Sequence, residues 1–328
     1  MDLLDEGQRR LLRPSSRVEW RQPMLATLTD KPFSHHDWVF EAKLDGVRAI
    51  VVRTGGDVSL WSRNRKDMSA SYPELVDAFA QQVADNFVAD GEIVAFDGDL
   101  TSFAKLQARI HLTDPRRIAA TGVDVCIYLF DLLVYDRVDL TGLPLIARKR
   151  VLRAAFDYHG RLRYSSHRAT YGEEYYRQAC AHGWEGLIAK RASSRYQEGR
   201  RSRDWLKLKC VRDQEFVIGG FTDPSGSRQG FGALLVGYYD KGRLRYAGKV
   251  GTGYSDQLLR DLRARLDRIV QPSSPFSEPV REPGAHWVRP ELVAQVGFTE
   301  WTSDGKLRHP RFLGQRLDKD PTEVVRET

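Results

Sequence analysis

The chain is poor in cysteine, with three among 328 residues, at Cys126, Cys180 and Cys210. They are odd in number and far apart, so their spacing suggests neither a zinc constellation nor a disulfide framework, and the set suits a reducing cytosol. Long apolar runs are also missing. No stretch approaches the ~18 consecutive apolar residues of a membrane-spanning helix, so no membrane association is expected. The amino terminus, MDLLDEGQRRLLRP, interleaves acids with arginines and has no apolar segment, which predicts no secretory leader. Internal repeats, low-complexity tracts and a coiled-coil seam are not evident, and a monomer is the expectation.

Other quantities are ordinary. Hydrophobic residues make up 41% and charged residues 29%, which argues for a folded chain rather than global disorder. The length suits about two domains of ~100–200 residues each. Folding at that size buries roughly three-quarters of the surface, so no staple is required. Lys and Arg number 51 against 44 Asp and Glu, a formal charge of +7. That modest excess favours an anionic partner such as nucleic acid.

Residues 1–22 are polar and read as a mobile or loosely docked lead-in. From Trp38 onward short β-type runs appear: WVFEAKLDGVRAIVVR, DVSLWSR, FVADGEIVAFD and VCIYLFDLLVYD, each bounded by Gly, Asp or Asn. Between them, Leu75, Val76, Phe79 and Val83 recur on one helical face, and Leu258, Leu259, Leu262, Leu266 and Ile269 form a second apolar stripe. A break falls near Cys210–Asp213. New strands follow in EFVIGGFTD, GALLVGYYD and RLRYAGKVGTG, then a four-proline connection, QPSSPFSEPVREPG, and the strand-like LVAQVGFTEWT. The pattern predicts an α+β first domain over 23–210 and a small β-barrel-like domain with one helix over 211–328.

The sharpest local feature is Glu41-Ala-Lys43-Leu-Asp45-Gly46-Val-Arg48. An ammonium in an apolar strand is costly unless something offsets it, and Asp45 is a candidate partner at a turn that Gly46 permits. A lysine becomes a nucleophile only as the neutral amine, which cationic neighbours or desolvation favour. In Trp205-Leu-Lys207-Leu-Lys209, strict alternation puts both lysines on one strand face and Leu206 and Leu208 on the other. Two ammoniums on one face call for an anion between them, and a phosphate would serve. Asp90-Gly-Glu92 and Trp184-Glu185-Gly186 each set a carboxylate beside glycine at the mouth of an apolar strand, a donor type suited to Mg²⁺. His35-His36 stands before the first strand with no third ligand at metal spacing, so a metal site is not expected there. Trp61, Trp184, Trp205, Trp287 and Trp301 are read as core or rim residues. The arginines of 195–203 lead directly into the lysine strand and suit contacts to a phosphate backbone.

In chain order, EAKLDGVR, SRNRKD, DGEIV, YLFDLL, EGLIAKR, WLKLK and RHPRFLGQRLDKD resemble the motifs of ATP-dependent DNA ligases. The likeness runs from about Gln22 to Asp320. It is nearest to the ligase module of bacterial end-joining polymerase–ligases, WVRPELVAQVGFTEWT included. KxDGxR alone would also fit RNA ligases and GTP-using capping enzymes; seven motifs in register are far more specific. An NAD-dependent ligase is disfavoured, because the cysteines are too few for that family's zinc module. Within 328 residues the polymerase and phosphoesterase modules of the multidomain relatives find no room.

The resemblance implies a nucleotidyltransferase (adenylation) domain followed by an OB-fold β-barrel. It implies that Lys43 attacks the α-phosphate of ATP, that AMP passes to a DNA 5′-phosphate, and that a 3′-hydroxyl then displaces AMP. By the same resemblance Glu41 contacts adenine N6 and Phe130 stacks on the purine. Arg48 and Arg63 bind ribose, AMP phosphate or the DNA 5′-phosphate. Glu92 and Glu185 contact ribose and metal, with Mg²⁺ or Mn²⁺ as the ion, and Lys207 and Lys209 hold the α-phosphate. Arg316, Asp318 and Lys319 form a motif that closes over ATP in the first step, with Arg316 on the nucleotide. Arg63, Arg195, Arg200, Arg201 and Arg203 are the expected DNA contacts, and Asp45 a structural partner. The implied partners are nicked or broken duplex DNA and a Ku-type end-binding protein, in the bacterial cytosol or nucleoid.

Overall fold

In a computed structural model, which describes residues 3–15, 17–210, 213–224, 226 and 229–327, the run that begins near Trp38 resolves into two strands, His35–Lys43 and Val47–Thr54. The break between them is Leu44-Asp45-Gly46. A Cβ on Gly46 would lie 2.2 Å from the carbonyl oxygen of Ile93, so the turn passes only with glycine there. The chain divides into two compact units, Met1–Cys210 and Val211–Thr328. Val211 and Arg212, where the composition changes, lie outside the described residues, as do Met1 and Asp2 of the lead-in.

The first unit is built on two sheets. Val47–Thr54 lies between Asp57–Ser62 and Asn86–Asp97, and Asn86–Asp97 pairs in turn with Val125–Tyr135, all antiparallel. The second sheet runs in the order His167–Thr170, His35–Lys43, Gly186–Arg191, Arg201–Lys209, Leu25–Leu28. Period-two alternation gives each sheet two distinct faces. On the outer face of the first sheet, Val47, Ala49, Val51, Phe87 and Ile93 pack with Leu75, Phe79 and Leu152 from helices. Between the sheets lie Ile50, Val52, Val88, Phe130, Tyr196 and Trp205. Phe40, Leu187, Ala189 and Leu208 cover the far face of the second sheet with Tyr175 and Ala179 of the helix Gly172–Ala181.

Three expectations need correction. The lead-in is docked: Leu4 is buried in the main core and Arg13–Pro14 pairs with Val138–Asp139. The first predicted helix stops at Ala80, leaving Val83 almost fully exposed. Its end is fixed by Arg53, which donates to the carbonyls of Phe79, Gln82 and Ala84. Cys180 and Cys210 form a disulfide, while Cys126 is buried and free. The helix Gly172–Ala181 folds back on Gly186–Arg191, whose neighbour strand ends at Lys209, so a separation of 30 residues closes in space.

In the second unit, Asp213–Thr222 pairs with Leu234–Asp240 and with Ala285–Gly297, and Arg243–Val250 and Arg311–Arg316 extend the sheet. Its core takes Leu259, Leu262 and Leu266 from the helix Asp256–Leu266, as the stripe predicts. The proline-rich connection packs as a strap rather than hanging free. Phe276 is buried against the sheet where Gly219 and Gly237 leave room, since a Cβ on either would approach its ring to 2.5 and 2.7 Å. No helix among the described residues is long and apolar enough to cross a membrane.

Candidate active site

Strand register lays out the charged face of the second sheet row by row. Lys43, Gly186 and Lys209 are cross-strand neighbours, as are Glu41, Ile188 and Lys207, and then Val39, Lys190 and Trp205. Directly opposed residues have Cβ atoms about 4.5–5.5 Å apart, so each row is one contact set. Gly186 keeps the middle of the first row empty of side chain. Its φ is +149°, and a Cβ there would lie 1.9 Å from the carbonyl oxygen of Leu208. Lys43 pairs with Glu185, not Asp45, and both side chains are mostly buried. Asp45 instead accepts from the backbone N–H of Phe103 at 2.9 Å, and its own N–H donates to Thr101, which fits a structural part.

Glu41 is 2% exposed and heavily engaged. Its Oε1 accepts from Lys149 at 2.7 Å, and its Oε2 accepts from Lys190 at 2.9 Å and from the Ser165 hydroxyl at 3.0 Å. Burial disfavours the carboxylate, but Lys149 and Lys190 outweigh that and hold its pKa below the ordinary value. The Lys190 ammonium is pushed down to about 8 by burial, with Glu41 opposing and Lys149 reinforcing the shift. It lies 4.4 Å from the ring centroids of both Phe130 and Trp205.

The first sheet supplies the facing wall. Arg48, Glu92 and Tyr128 form one of its rows. Arg48 donates to both oxygens of the fully buried Asp90, and Tyr196 donates to Asp90 at 2.6 Å. Burial works against the guanidinium, but Asp90 outweighs it and holds Arg48 above the ordinary arginine value. Arg48 also lies 4.6 Å from the Phe130 ring centroid. Phe130, expected as a stacking platform, is itself only 8% exposed and carries two cations near its ring.

A family model described as the ATP dependent DNA ligase domain matches residues 23–209, and one described as the ATP dependent DNA ligase C terminal region matches 227–319. The chain belongs to the ATP-dependent DNA ligase family. It is 38% identical over 318 residues to the multifunctional non-homologous end joining protein LigD of Pseudomonas aeruginosa, covering 94% of this chain and 37% of that protein. Against LigD of Mycobacterium tuberculosis it is 39% identical over 312 residues, covering 93% and 40%. The chain thus spans about two-fifths of the length of these relatives. A solved mycobacterial DNA ligase D complexed with ATP and MES matches 94% of this chain and 98% of its own, with TM-score 0.67 and 36% identity. The ligase domain of M. tuberculosis LigD matches the same shares with TM-score 0.52 and 38% identity. As the motif order implies, the chain has a nucleotidyltransferase domain followed by a C-terminal OB-fold.

The remaining expected site residues fall into separate groups. Arg195, Arg200, Arg201 and Arg203 are all exposed, on a segment anchored by the buried Tyr196. Arg63 is half-buried in the turn after Asp57–Ser62. In the OB unit, Arg316 donates to both oxygens of Asp318 at 2.9 Å, and Lys319 pairs with Glu215 at 2.9 Å. His35 and His36 belong to the strand itself, and Asp37 brings a third ligand-type atom within 4.8 Å, correcting the expectation that none is near; all three residues are exposed. Trp205 is a core residue, as expected, and it also lies 4.4 Å from the Lys190 ammonium. Motif reading missed Lys149, Ser165, Lys190 and Asp90. Alternation within EGLIAKR could have put Lys190 on the Ile188 face; Lys149, on the helix Leu145–Ala155, has no local signal.

Proposed function

We propose that this chain seals 5′-phosphate/3′-hydroxyl breaks in DNA through a lysyl-AMP intermediate on Lys43, with ATP as the nucleotide. The observation that carries the reading is the pair of adjacent rows, Lys43·Gly186·Lys209 and Glu41·Ile188·Lys207. On one face they bring an amine that would be the nucleophile, two ammoniums that would hold an α-phosphate and a carboxylate that would receive the base, with no side chain at Gly186 between Lys43 and Lys209.

In the first step the Nζ–phosphorus bond forms as the α–β phosphoanhydride bond breaks, pyrophosphate leaves and Nζ loses a proton. Lys207 and Lys209 would stabilise charge on the α-phosphate oxygens, the electrostatic term that is usually largest in such transfers. Glu92 and Glu185 offer carboxylate oxygens at the cleft, the donor chemistry that Mg²⁺ or Mn²⁺ takes. Such an ion would supply charge neutralisation at the triphosphate. Glu185 pairs with Lys43 here, so engaging that carboxylate elsewhere would release the Lys43 side chain toward the phosphate. Glu41 would receive the base, Phe130 would stack on it, and Arg48 and Arg63 would bind ribose, AMP phosphate or the DNA 5′-phosphate.

The exposed Arg195, Arg200, Arg201 and Arg203, with Arg63, would contact the duplex backbone. Arg316, Asp318 and Lys319 would close on ATP, which requires Arg316 to trade Asp318 for phosphate. Likeness to proteins named for end joining supports work in DNA repair; a Ku-type partner, a monomeric state and a place in the bacterial cytosol or nucleoid belong to the same proposal.

Incubation with α-labelled ATP and Mg²⁺ or Mn²⁺, after stripping with pyrophosphate, should leave label on the chain, and Lys43→Ala should abolish it. Labelling by GTP or NAD but not ATP would overturn the reading. Nicked duplexes with DNA or RNA at either terminus then distinguish a DNA ligase from an RNA ligase.

A further inference from the structure

Glu41 lies one row from Lys43 on the same face of one strand, about 6.5–7 Å along it. A nucleotide whose α-phosphate lies at Lys43 therefore extends over the Glu41 row. A carboxylate has about four acceptor positions and, when ionised, no donor. At Glu41 three donors occupy positions: Lys149 on Oε1, and Lys190 and the Ser165 hydroxyl on Oε2. These come from three separate parts of the chain, the helix Leu145–Ala155, the segment after Leu162–Tyr164, and the strand Gly186–Arg191. Both oxygens are held, so the group cannot rotate freely, and two ammoniums against it oppose protonation.

Lys190 links this carboxylate to the aromatic wall, because the same ammonium lies 4.4 Å from the Phe130 and Trp205 centroids. A base at that wall presents its edge toward a fixed acceptor. Adenine offers a 6-amino donor there, whereas guanine and hypoxanthine offer a 6-oxo acceptor. An acceptor facing an acceptor in a buried site repels it and leaves the 6-oxo group without a donor, which is how polar sites reject near-isosteres.

We propose that Lys149, Ser165 and Lys190 are positioning residues that lock Glu41 as an acceptor-only group, and that this lock selects 6-amino purine nucleotides over 6-oxo ones. The inference rests on the nucleotidyltransferase reading, with Glu41 receiving the base, and adds the three residues that hold that carboxylate in its accepting state. Lys149→Met would release Oε1, which can then take up a proton and donate to a 6-oxo group. Ser165→Ala would loosen Oε2 alone.

The test compares covalent labelling of the stripped full chain by four α-labelled triphosphates. ATP and 2,6-diaminopurine triphosphate carry the 6-amino group; ITP and GTP carry the 6-oxo group. Wild type should accept the first two and discriminate against both others. In Lys149→Met the ATP/ITP ratio of labelling efficiency should fall roughly ten- to a hundredfold, the scale of one hydrogen bond to a charged group. Ser165→Ala should lower the ratio by less than about tenfold, and Ser165→Thr, which keeps the hydroxyl, should restore it. If Lys149→Met does not fold, the Ser165 pair carries the test. Equal losses with ATP and ITP would mean a merely structural role and overturn the proposal. So would a wild type that labels equally well with both. A wild type that no nucleotide labels would instead overturn the nucleotidyltransferase reading beneath it.

Discussion

On the strand Arg201–Lys209, Leu206 and Leu208 lie against Trp38, Phe40 and Tyr175, while Trp205, Lys207 and Lys209 occupy the opposite face with Lys43, Glu41 and Lys190. One backbone thus carries two chemistries, separated by a single residue step. The apolar face is anchored by the helix Gly172–Ala181 and needs nothing beyond the chain. The charged face carries Lys43, Lys190, Lys207 and Lys209, and Lys149 reaches Glu41 from a helix, an arrangement suited to an incoming polyanion. The contrast teaches that positional accuracy on the reactive face is borrowed from packing on the other. A slip of one residue would exchange the two sets entirely.

The largest effect should come from Gly186→Ala, which strikes both faces. Strain at φ +149° and the collision with the Leu208 carbonyl each cost about 1–3 kcal/mol. The variant should unfold at markedly lower denaturant and take no label from ATP. Normal labelling by a stable variant would show that the first row does not need its bare centre. Leu208→Ala should act on the apolar face alone, with a loss of about 2–5 kcal/mol for a fully buried leucine. Its labelling per folded molecule, measured well below the melting midpoint, should stay near wild type. A matching collapse in labelling would mean that the two faces are not separable. Lys207→Ala should do the reverse: transfer slowed by about 10²–10³, the usual loss for one charge-stabilising donor, with a midpoint shift within about 0.5 kcal/mol.

Much of this contrast was legible from residues alone. Period-two alternation put Lys207 and Lys209 on one face and Leu208 on the other, and the break at Asp45-Gly46 followed from turn chemistry. What stayed hidden depends on elements meeting across the fold. Asp45 looked like the partner of Lys43 because it is two residues away; the actual partner, Glu185, arrives from a neighbouring strand 142 positions later. Lys149 sits on a helix whose pattern gives no hint that its ammonium is buried against Glu41. Cys180 and Cys210 are distant in sequence and adjacent only because a helix doubles back over the strand pair. The Val83 position continued a helical period, yet Arg53 claims the carbonyls that would have carried the helix further.

Lys190 gives the smallest expected effect and the finest test of the two faces, because it belongs to the charged face yet is buried like a core residue. Its folded-state pKa is about 8, against an ordinary value near 10.5 in the unfolded chain. Between those values the unfolded chain holds a proton that the folded chain has released. Raising the pH through that window therefore favours the folded state through this group, by at most ~1.4 kcal/mol per pH unit. Below about 8 both states are charged, and the burial cost of the ammonium is carried in full. Denaturant melts of wild type and Lys190→Met at matched pH cancel the contribution of titrating groups that do not interact with Lys190. The wild type should gain about 1.5 kcal/mol on the variant between pH 8 and 9.5. Parallel curves would mean that the ammonium stays solvated, and that the charged face keeps water where the apolar face excludes it.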